Sequence, residues 1–258
     1  MNSSKNFINE VAIITGAGQG IGFEIATQLS LQGAAVVLND YDDALAVKAA
    51  DAINKAGGKC IPVSGDAGNI KVIENTITTA VKNFGAVTLV IANAGHSLYG
   101  DFFSYSKEDF DKVTSLNMGG TFFLAQSAAK QMMAQKTGGS MLFISSVVGH
   151  QAIKDLAAYA MTKAAIEMLA KNLVIELSKY NITINTIAPG ATATERTLTF
   201  NNYINAWSAI TPLGKPAMVQ DIANAALFFL APASRHITGQ NLIVDGGWTC
   251  YSPLPPDK

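Results

Sequence analysis

Short apolar runs rich in β-branched residues recur along the chain and alternate with longer amphipathic stretches. The short runs are apolar at nearly every position, which is typical of parallel strands buried on both faces. The longer stretches repeat their apolar residues with a helical period, so we expect helices that cover those faces. The predicted strands are residues 11–15, 35–39, 60–64, 88–93, 140–145, 183–188 and 241–244. The predicted helices are residues 20–32, 42–56, 69–84, 107–136, 157–179 and 219–230.

This alternation of strands and helices predicts the fold class. It indicates an α/β protein with a Rossmann-like, doubly wound parallel sheet of about seven strands and helices on both faces. No Pro/Ser-rich stretch or charge run resembles a linker, so we expect residues 1–258 to form a single domain. Ligands of such sheets bind at the carboxyl ends of the strands, and site residues are therefore expected directly after each strand.

The composition narrows the choice of partners. Hydrophobic residues make up 49% of the chain and charged residues only 14%, which leaves apolar surface to bury against other subunits. We therefore expect a homo-oligomer. The formal net charge of −1 shows no basic excess, so neither a nucleic acid nor an anionic membrane is an expected partner.

The cysteines and the first residues bear on metals and on the compartment. Cys60 and Cys250 are the two cysteines of the chain, and they lie in no Cys-x-x-Cys or Cys/His cluster. We therefore expect neither disulfides nor a metal site. The first apolar run, residues 11–14, is too short for a signal sequence or a membrane span, so a cytoplasmic enzyme is expected.

A glycine-dense turn follows the first predicted strand and leads directly into a helix. From residue 15 to residue 22 it reads Thr-Gly-Ala-Gly-Gln-Gly-Ile-Gly. Glycines there let the backbone approach a pyrophosphate, whose charge a helix N-terminus stabilises. The register is not G-x-G-x-x-G, because Ile21 stands three residues after Gly18. The predicted cofactor contacts of this turn are Gly16, Gly18, Gln19, Gly20, Ile21 and Gly22.

A carboxylate at the end of the second predicted strand bears on the choice between NAD and NADP. Asp40 can accept hydrogen bonds from the ribose diol of adenosine, and it would repel a 2′-phosphate. The turn carries Gln19, and no Arg or Lys stands beside Asp40 to neutralise an extra phosphate, so we expect NAD rather than NADP. Alternatively, Asp40 caps the next helix. Further expected contacts with the adenosine half are Asp66, Ala67, Asn93, Ala94 and Gly95.

A tyrosine and a lysine lie four residues apart in the fifth predicted helix. This spacing places Tyr159 and Lys163 on one face, one turn from each other. An adjacent cation favours the phenolate, so we expect the pKa of Tyr159 to lie below its ordinary value of about 10. Ser146 directly follows the strand before this helix. A hydroxyl, a phenol and an ammonium can then meet one substrate oxygen, with Tyr159 as acid or base.

These residues occur in an order that resembles the short-chain dehydrogenase/reductase family, over essentially the whole chain. The resemblance implies hydride transfer to or from a nicotinamide dinucleotide. It also implies that Ser146, Tyr159 and Lys163 form the catalytic triad, and that Tyr159 and Lys163 contact the cofactor. Asn117 is implied as the fourth member, whose local helix distortion holds a water that links Lys163 to solvent. The matching positions are 15–22, 93–95, 117, 146, 159–163, 185, 189–190, 194 and 244–247.

The segment after the sixth predicted strand resembles the one with which the family grips the nicotinamide carboxamide. Its candidate contacts are Pro189, Gly190, Thr192 and Thr194. Thr192 departs from the branched apolar residue that is usual there. For this position, the resemblance therefore implies a backbone contact only.

Three loops, after the fourth, fifth and sixth predicted strands, are expected to select the substrate. His96, His150 and Gln151 lie in the first two and can bond to hydroxyls of a sugar or polyol, although exposed loop positions explain them equally well. Residues 191–216 exceed an ordinary connection in length, so we expect a lid over cofactor and substrate. Tyr203 and Trp207 in this lid are either substrate contacts or part of one amphipathic turn that packs on the core.

The leading hypothesis is an NAD-dependent oxidoreductase that transfers a hydride between a secondary alcohol, such as a sugar or polyol, and nicotinamide. An alternative is a 3-oxoacyl-[acyl-carrier-protein] reductase that uses NADPH, which Gln19 and Asp40 disfavour. A third hypothesis is a dinucleotide-sensing protein without catalysis, which the intact catalytic residues disfavour.

The family resemblance also predicts how subunits associate. It implies one dimer face on the long helices 107–136 and 157–179, and another on the strand that ends at residues 244–247. Two such faces predict a homotetramer.

Overall fold

A computed structural model of the protein describes residues 5–252, and residues 1–4 and 253–258 of the predicted domain lie outside the described part. Within it, the strands are β1 (Val11–Ile14), β2 (Ala35–Asp40), β3 (Lys59–Ser64), β4 (Leu89–Ala92), β5 (Gly139–Ile144), β6 (Ile182–Pro189), β7 (Thr192–Ala193), β8 (Ala217–Met218) and β9 (Asn241–Val244). One parallel sheet has the order β3-β2-β1-β4-β5-β6-β9. β7 and β8 pair separately as a short parallel ribbon.

Eight α-helices connect the strands in the described part of the chain. They are α1 (Gly20–Leu31), α2 (Asp43–Lys55), α3 (Ile70–Phe84), α4 (Lys107–Thr114), α5 (Thr121–Gln135), α6 (Ala157–Leu177), α7 (Tyr203–Ile210) and α8 (Val219–Leu230). A π-helical turn, Ser115–Gly120, joins α4 to α5. The helix predicted over 107–136 is therefore not continuous.

The apolar strands serve two cores at once. Successive side chains of a strand point to opposite faces of a sheet. Ala12 and Ile14 of β1 belong to a core covered by α1, α2 and α8, whereas Val11 and Ile13 belong to a core covered by α3, α5 and α6. This is why the strand sequences are apolar at most positions rather than only at alternate ones.

The order of the sheet creates a crevice between β1 and β4. β1 pairs with β2 on one side and with β4 on the other, so the connections after β1 and β4 leave in opposite directions. The glycine turn follows β1, and residues 93–95 follow β4. The fold thus brings two predicted cofactor segments to one edge of the sheet.

The predicted fold class is confirmed, and the seven predicted strands all occur in the main sheet with bounds within about one residue. The segment predicted as a lid contains β7, α7 and a 3-10 turn, Thr197–Thr199, and is bounded by the β7–β8 pair. Across residues 5–252, no helix combines the length and apolarity needed to cross a membrane.

Candidate active site

The glycine turn is fastened to the chain segment that follows β4. The side-chain Nδ2 of Asn93 donates to the carbonyl oxygens of Thr15 (2.9 Å) and Gly16 (2.7 Å). Gly16 has φ +61°, and a Cβ on it would lie 2.8 Å from the Cα of Ala94. A Cβ on Gly22 would lie 2.5 Å from the same Asn93 nitrogen. Glycine is therefore required at both positions, and the turn forms an open cradle of backbone at the start of α1.

Asp40 lies at the end of β2 and contacts the glycine turn directly. Its Oδ2 accepts from the Gly18 amide (2.8 Å) and its Oδ1 from the Asp42 amide (3.1 Å). A Cβ on Gly18 would lie 2.8 Å from Oδ2, so glycine makes room for the carboxylate. The alternative role of helix cap belongs to Asp42, which accepts from the Leu45 amide at 3.0 Å.

A cavity of about 410 Å³ opens at Tyr41, the residue after Asp40, on the side predicted for adenosine. Asp66 is tied into the turn after β3, where its Oδ1 accepts from the Gly68 amide at 2.8 Å. His96 also lines this cavity, although the sequence suggested a substrate contact for it. The lining residues are Tyr41, Asp66, Ala67, Ala94, His96, Glu108, Asp111, Lys112, Ser115 and Leu116.

A second cavity of about 250 Å³ brings together Ser146, Tyr159 and Lys163 of the predicted catalytic residues, whereas Asn117 does not line it. Lys163 is 4% exposed, donates from Nζ to the carbonyl oxygen of Ile144 at 2.7 Å, and lies 5.5 Å from the ring centre of Tyr159. Ser146 caps the short turn after β5. The lining residues are Ile21, Asn93, Gly95, Ser97, Ile144, Ser145, Ser146, Tyr159, Lys163, Pro189, Gly190, Thr192, Thr194, Arg196, Thr197 and Tyr203.

The protonation of this site follows mainly from burial. Burial raises the pKa of Tyr159 to about 12, although the Ser146 hydroxyl and the Arg196 guanidinium act in the opposite direction. Burial lowers the pKa of Lys163 to about 8, against the charge of Glu167, which raises it. The predicted lowering of the Tyr159 pKa is therefore wrong, because desolvation of the phenolate is the larger effect.

Asn117 lies in the π-helical turn and is 1% exposed. Its Oδ1 accepts from the His96 amide at 2.8 Å, and its Nδ2 donates to the His96 carbonyl oxygen and to Thr162 Oγ1, each at 3.0 Å. The Thr162 hydroxyl in turn donates to the carbonyl oxygen of Tyr159 at 2.7 Å. The distortion of the helix predicted at Asn117 is present, and this residue joins the loop after β4 to α6.

The lid reaches the cavity through threonines and one tyrosine. Thr197 Oγ1 and the hydroxyl of Tyr203 both donate to the carbonyl oxygen of Thr192, at 2.8 Å and 3.2 Å. Thr194 accepts from the Thr197 amide at 3.2 Å. Gly190 packs against Asp245, because a Cβ on it would lie 2.6 Å from the Asp245 Cβ. The predicted nicotinamide segment therefore lies on the same cavity as Tyr159.

Other predicted substrate residues lie outside this cavity. His150 Nε2 is 3.0 Å from Glu167 Oε1 and 2.7 Å from Asn241 Nδ2. Gln151 is exposed. Trp207 packs on Trp248 with ring centres 5.7 Å apart, in an edge-to-face arrangement.

Some residues that the sequence reasoning missed are part of the site. Arg196 donates to Ser97 Oγ across the cavity, and both line it together with Thr197. Arg196 is one of only two arginines in the chain, and this rarity could have marked it in the sequence as a candidate site residue. Glu167, four residues after Lys163, follows the same spacing that singled out Tyr159.

Neither cysteine of the chain lines the catalytic cavity. Cys60 is buried and Cys250 exposed, and both are free thiols. Burial raises the pKa of the Cys60 thiol to about 12, so it is unreactive. Within the described range, no three His, Cys, Asp or Glu side chains are grouped as metal ligands.

Known proteins resemble this chain over nearly its full length. A family model described as Enoyl-(Acyl carrier protein) reductase matches residues 16–249. A short-chain dehydrogenase/reductase of Armillaria gallica is 34% identical, with 96% of this chain and 98% of the relative covered. The hydroxynaphthalene reductase-like protein Arp2 of Metarhizium guizhouense is 31% identical, with 94% and 96% covered.

The solved structures agree with these relatives. A 7α-hydroxysteroid dehydrogenase, complexed with NADH and 7-oxo glycochenodeoxycholic acid, has a TM-score of 0.89 and 34% identity. The match covers 96% of this chain and 98% of that chain. The glycine cradle and the cavity of Ser146, Tyr159 and Lys163 lie at one edge of the sheet. Together with these matches, they show that the chain belongs to the short-chain dehydrogenase/reductase family, an oxidoreductase family.

Proposed function

We propose that the protein is an NAD-dependent oxidoreductase that transfers a hydride between nicotinamide and a secondary alcohol or the corresponding carbonyl compound. The observation that carries the proposal is the single cavity shared by Ser146, Tyr159 and Lys163, next to a backbone cradle that only glycines allow. Because all three side chains line one space, a substrate oxygen placed there meets an acid, a second donor and a cation.

The residues of the cradle fit a dinucleotide. Gly16, Gly18 and Gly22 leave the backbone bare where a Cβ would collide with neighbouring segments. The start of α1 offers its amides to a pyrophosphate, and the 410 Å³ cavity lined by Asp66 and Ala67 suits the adenosine half. Bound in this way, the nicotinamide ring supplies the hydride acceptor or donor.

The choice of NAD over NADP is supported by charge. Asp40, Asp42 and Asp43 follow one another closely at the end of β2, and Asp40 lies against the glycine turn. A 2′-phosphate at this place would meet carboxylates on the same short segment. The similar 7α-hydroxysteroid dehydrogenase was solved with NADH, which is in keeping with the proposal.

Tyr159 is the proposed acid and base. With its pKa near 12, it carries its proton at neutral pH and can donate it to a carbonyl oxygen during reduction. Oxidation of an alcohol requires the phenolate, so its rate is expected to rise with pH. Ser146 orients the reacting oxygen, and the charged Lys163 favours the phenolate when the proton leaves.

The substrate is held by the loop after β4 and by residues 191–216, which we propose as the lid. Tyr203 and Arg196 reach the catalytic cavity from the lid, and Ser97 reaches it from the loop. These side chains offer hydroxyl groups and a cation, so a polar or anionic hydroxy compound, sugars and polyols included, suits the cavity.

A second candidate function is reduction of an acyl-type carbonyl, such as a 3-oxoacyl thioester, with NADPH. The description of the matching family model shares only the acyl carrier with it, because an enoyl group is reduced at its carbon–carbon double bond rather than at a carbonyl. The carboxylates at residues 40, 42 and 43 disfavour NADPH.

The association we propose is a homotetramer. Met118, Phe122 and Phe123 are exposed and border an apolar groove of about 440 Å³ between α5 and α6. Leu242 and Ile243 are exposed on β9, the strand at one edge of the sheet. Two separate apolar faces of this kind suit two subunit interfaces.

The test is a panel of sugars, polyols, hydroxysteroids, 3-hydroxyacyl thioesters and simple alcohols, with their carbonyl partners, followed by NADH or NADPH absorbance. Tyr159→Phe should lose nearly all turnover with the best substrate and still bind NAD. Tyr180→Phe is the matched control, because Tyr180 also has a lysine near its ring, with Lys179 Nζ at 5.1 Å. Turnover by Tyr159→Phe at the wild-type rate, or no turnover in the panel, would contradict the proposal.

A further inference from the structure

Three consecutive residues at the end of β5, residues 144–146, each contact α6, and the contacts are one helical turn apart. The Ser146 hydroxyl lies beside Tyr159, and the Ile144 carbonyl oxygen accepts from Lys163 Nζ. Between them, the Ser145 hydroxyl donates to Glu167 Oε1. The first two contacts belong to the candidate site. The contact between Ser145 and Glu167 extends the same row one turn further along α6, to a carboxylate that has been given no role so far.

Glu167 is placed in a specific pocket. It is 8% exposed, and its Oε1 also lies 3.0 Å from His150 Nε2. A Cβ on Gly149 would lie 3.1 Å from the same oxygen, so a glycine there leaves room for the carboxylate. A buried carboxylate is costly unless hydrogen bonds and opposite charge compensate for its lost hydration. Ser145 and His150 supply the hydrogen bonds, and the nearby cation is Lys163.

His150 connects this carboxylate to solvent. Its side chain is 35% exposed, and its Nε2 also lies 2.7 Å from Asn241 Nδ2 on β9. A protonated Nε2 donates to Glu167, whereas an unprotonated Nε2 accepts from the amide of Asn241. The carboxylate therefore has one buried neighbour at Ser145 and one neighbour at the surface.

The charge of Glu167 acts on Lys163 through space. Glu167 follows Lys163 by one turn of α6, and the Ser145 hydroxyl that bonds its Oε1 also lies 3.2 Å from the Lys163 carbonyl oxygen. Burial lowers the pKa of Lys163 to about 8, and the negative charge of Glu167 raises it. The other titratable groups of the site act on Tyr159 rather than on Lys163: Arg196 lowers the pKa of the phenol, and Tyr99 raises it.

We propose that Glu167 is a positioning residue that keeps the Lys163 ammonium charged inside the closed site, while Ser145 and His150 hold its carboxylate in place. The inference deepens the proposed function and rests on it only for the part that Lys163 plays in the reaction. Without the carboxylate, the buried amine loses its proton at lower pH, and the phenolate of Tyr159 loses its neighbouring cation.

The test compares the titration of Lys163 in the wild type, Glu167→Gln and Glu167→Asp. Carbon NMR of protein labelled at the lysine ε-carbon follows each ammonium, and the loss of one signal in Lys163→Arg assigns that of Lys163. Glu167→Gln should lower the midpoint of Lys163 by about one pH unit or more, and Glu167→Asp should restore most of the difference. Glu176→Gln is the matched control, because Glu176 is exposed on the same helix.

The outcomes separate this inference from the proposed function. An unchanged Lys163 midpoint in folded Glu167→Gln, or an equal shift in Glu176→Gln, would overturn it. If Glu167→Gln does not fold, Glu167→Met takes its place under the same criterion. Where turnover is found, the pH profile of kcat/KM should shift with the Lys163 midpoint. A shifted midpoint in a protein that turns over no substrate would refute the proposed function alone.

Discussion

The two carboxylate oxygens of Asp40 hold the glycine turn and the start of α2 together, through the amides of Gly18 and Asp42. Each oxygen has a second lone pair, so Asp40 can also accept from ribose hydroxyls and keep both backbone bonds. The same side chain therefore shapes the turn and sets a negative potential beside it.

Removal of this carboxylate should change the choice of cofactor. Asp40→Ala should raise the ratio of kcat/KM with NADP to that with NAD by about tenfold, because about 1.4 kcal/mol of like-charge repulsion is lost. Steady-state kinetics with both cofactors measure the ratio. Asp51→Ala removes the same charge from an exposed position of α2 and should leave the ratio unchanged. A wild type that prefers NADP would refute the cofactor assignment.

Tyr159 shows what a spacing can and cannot predict about one residue. The four-residue interval correctly placed its ring near Lys163, with Nζ 5.5 Å from the ring centre. The predicted effect on its pKa was wrong, because Nζ bonds to the carbonyl oxygen of Ile144 and the phenol is desolvated. Desolvation depends on everything packed around a side chain, and an interval along the chain carries no information about that.

At the scale of elements, the long helix predicted over 107–136 was only partly correct. The interruption is a π-helical turn whose two buried positions, Asn117 and Gly120, carry no apolar side chain. The turn is held by three hydrogen bonds of Asn117, to His96 and to Thr162. These partners belong to a loop and to another helix, which sequence reasoning reached only through the family resemblance.

Truncation of Asn117 should therefore destabilise the protein more than truncation of an exposed asparagine in a regular helix. Asn117→Ala removes three hydrogen bonds, two with the His96 backbone and one with Thr162 Oγ1, from a buried position, so the free energy of unfolding should fall by about 3 kcal/mol. Urea denaturation measures this loss. Asn172→Ala on α6 is the matched control, because that exposed amide bonds only to the Met168 carbonyl oxygen and its loss should cost about 0.5 kcal/mol or less. Equal losses in the two variants would contradict the role of Asn117 in the turn.

The elements of the main sheet were easier to predict than those of the lid. Strands such as β5 and β6 are buried along their whole length and are mostly apolar or β-branched, so they are visible in the sequence. β7 and β8 have two residues each, which is too short for any periodicity. In α7, Tyr203 and Trp207 do share a helix, as one of the two predicted alternatives had it.

For the whole molecule, the apolar composition predicted buried surface between subunits, and the structure offers a place for it. The groove bordered by Met118, Phe122 and Phe123 also contains Ile166 and Leu169 of α6. The sequence identified these helices through the family resemblance, but it did not show which of their residues face outward.

A charge in this groove should break the proposed tetramer. Phe122→Glu places a carboxylate where an apolar partner is expected, so light scattering coupled to gel filtration should give a smaller mass than for the wild type. Val47→Glu, a change of similar kind on the exposed side of α2, should keep the wild-type mass. A wild type that runs as a monomer, or equal masses for both variants, would refute this interface.

The β7–β8 ribbon has a consequence for how proteins with this architecture diverge. Pairing of Thr192 with Ala217 and of Ala193 with Met218 fastens both ends of the lid beside the sheet. Insertions, deletions and exchanges between these two pairs leave the distance between the ends unchanged, and loop closure costs little more in a longer segment. Under the proposed function, mutations between residues 198 and 216 can therefore alter which compounds enter, while Ser146, Tyr159 and Lys163, which lie outside the lid, stay unchanged.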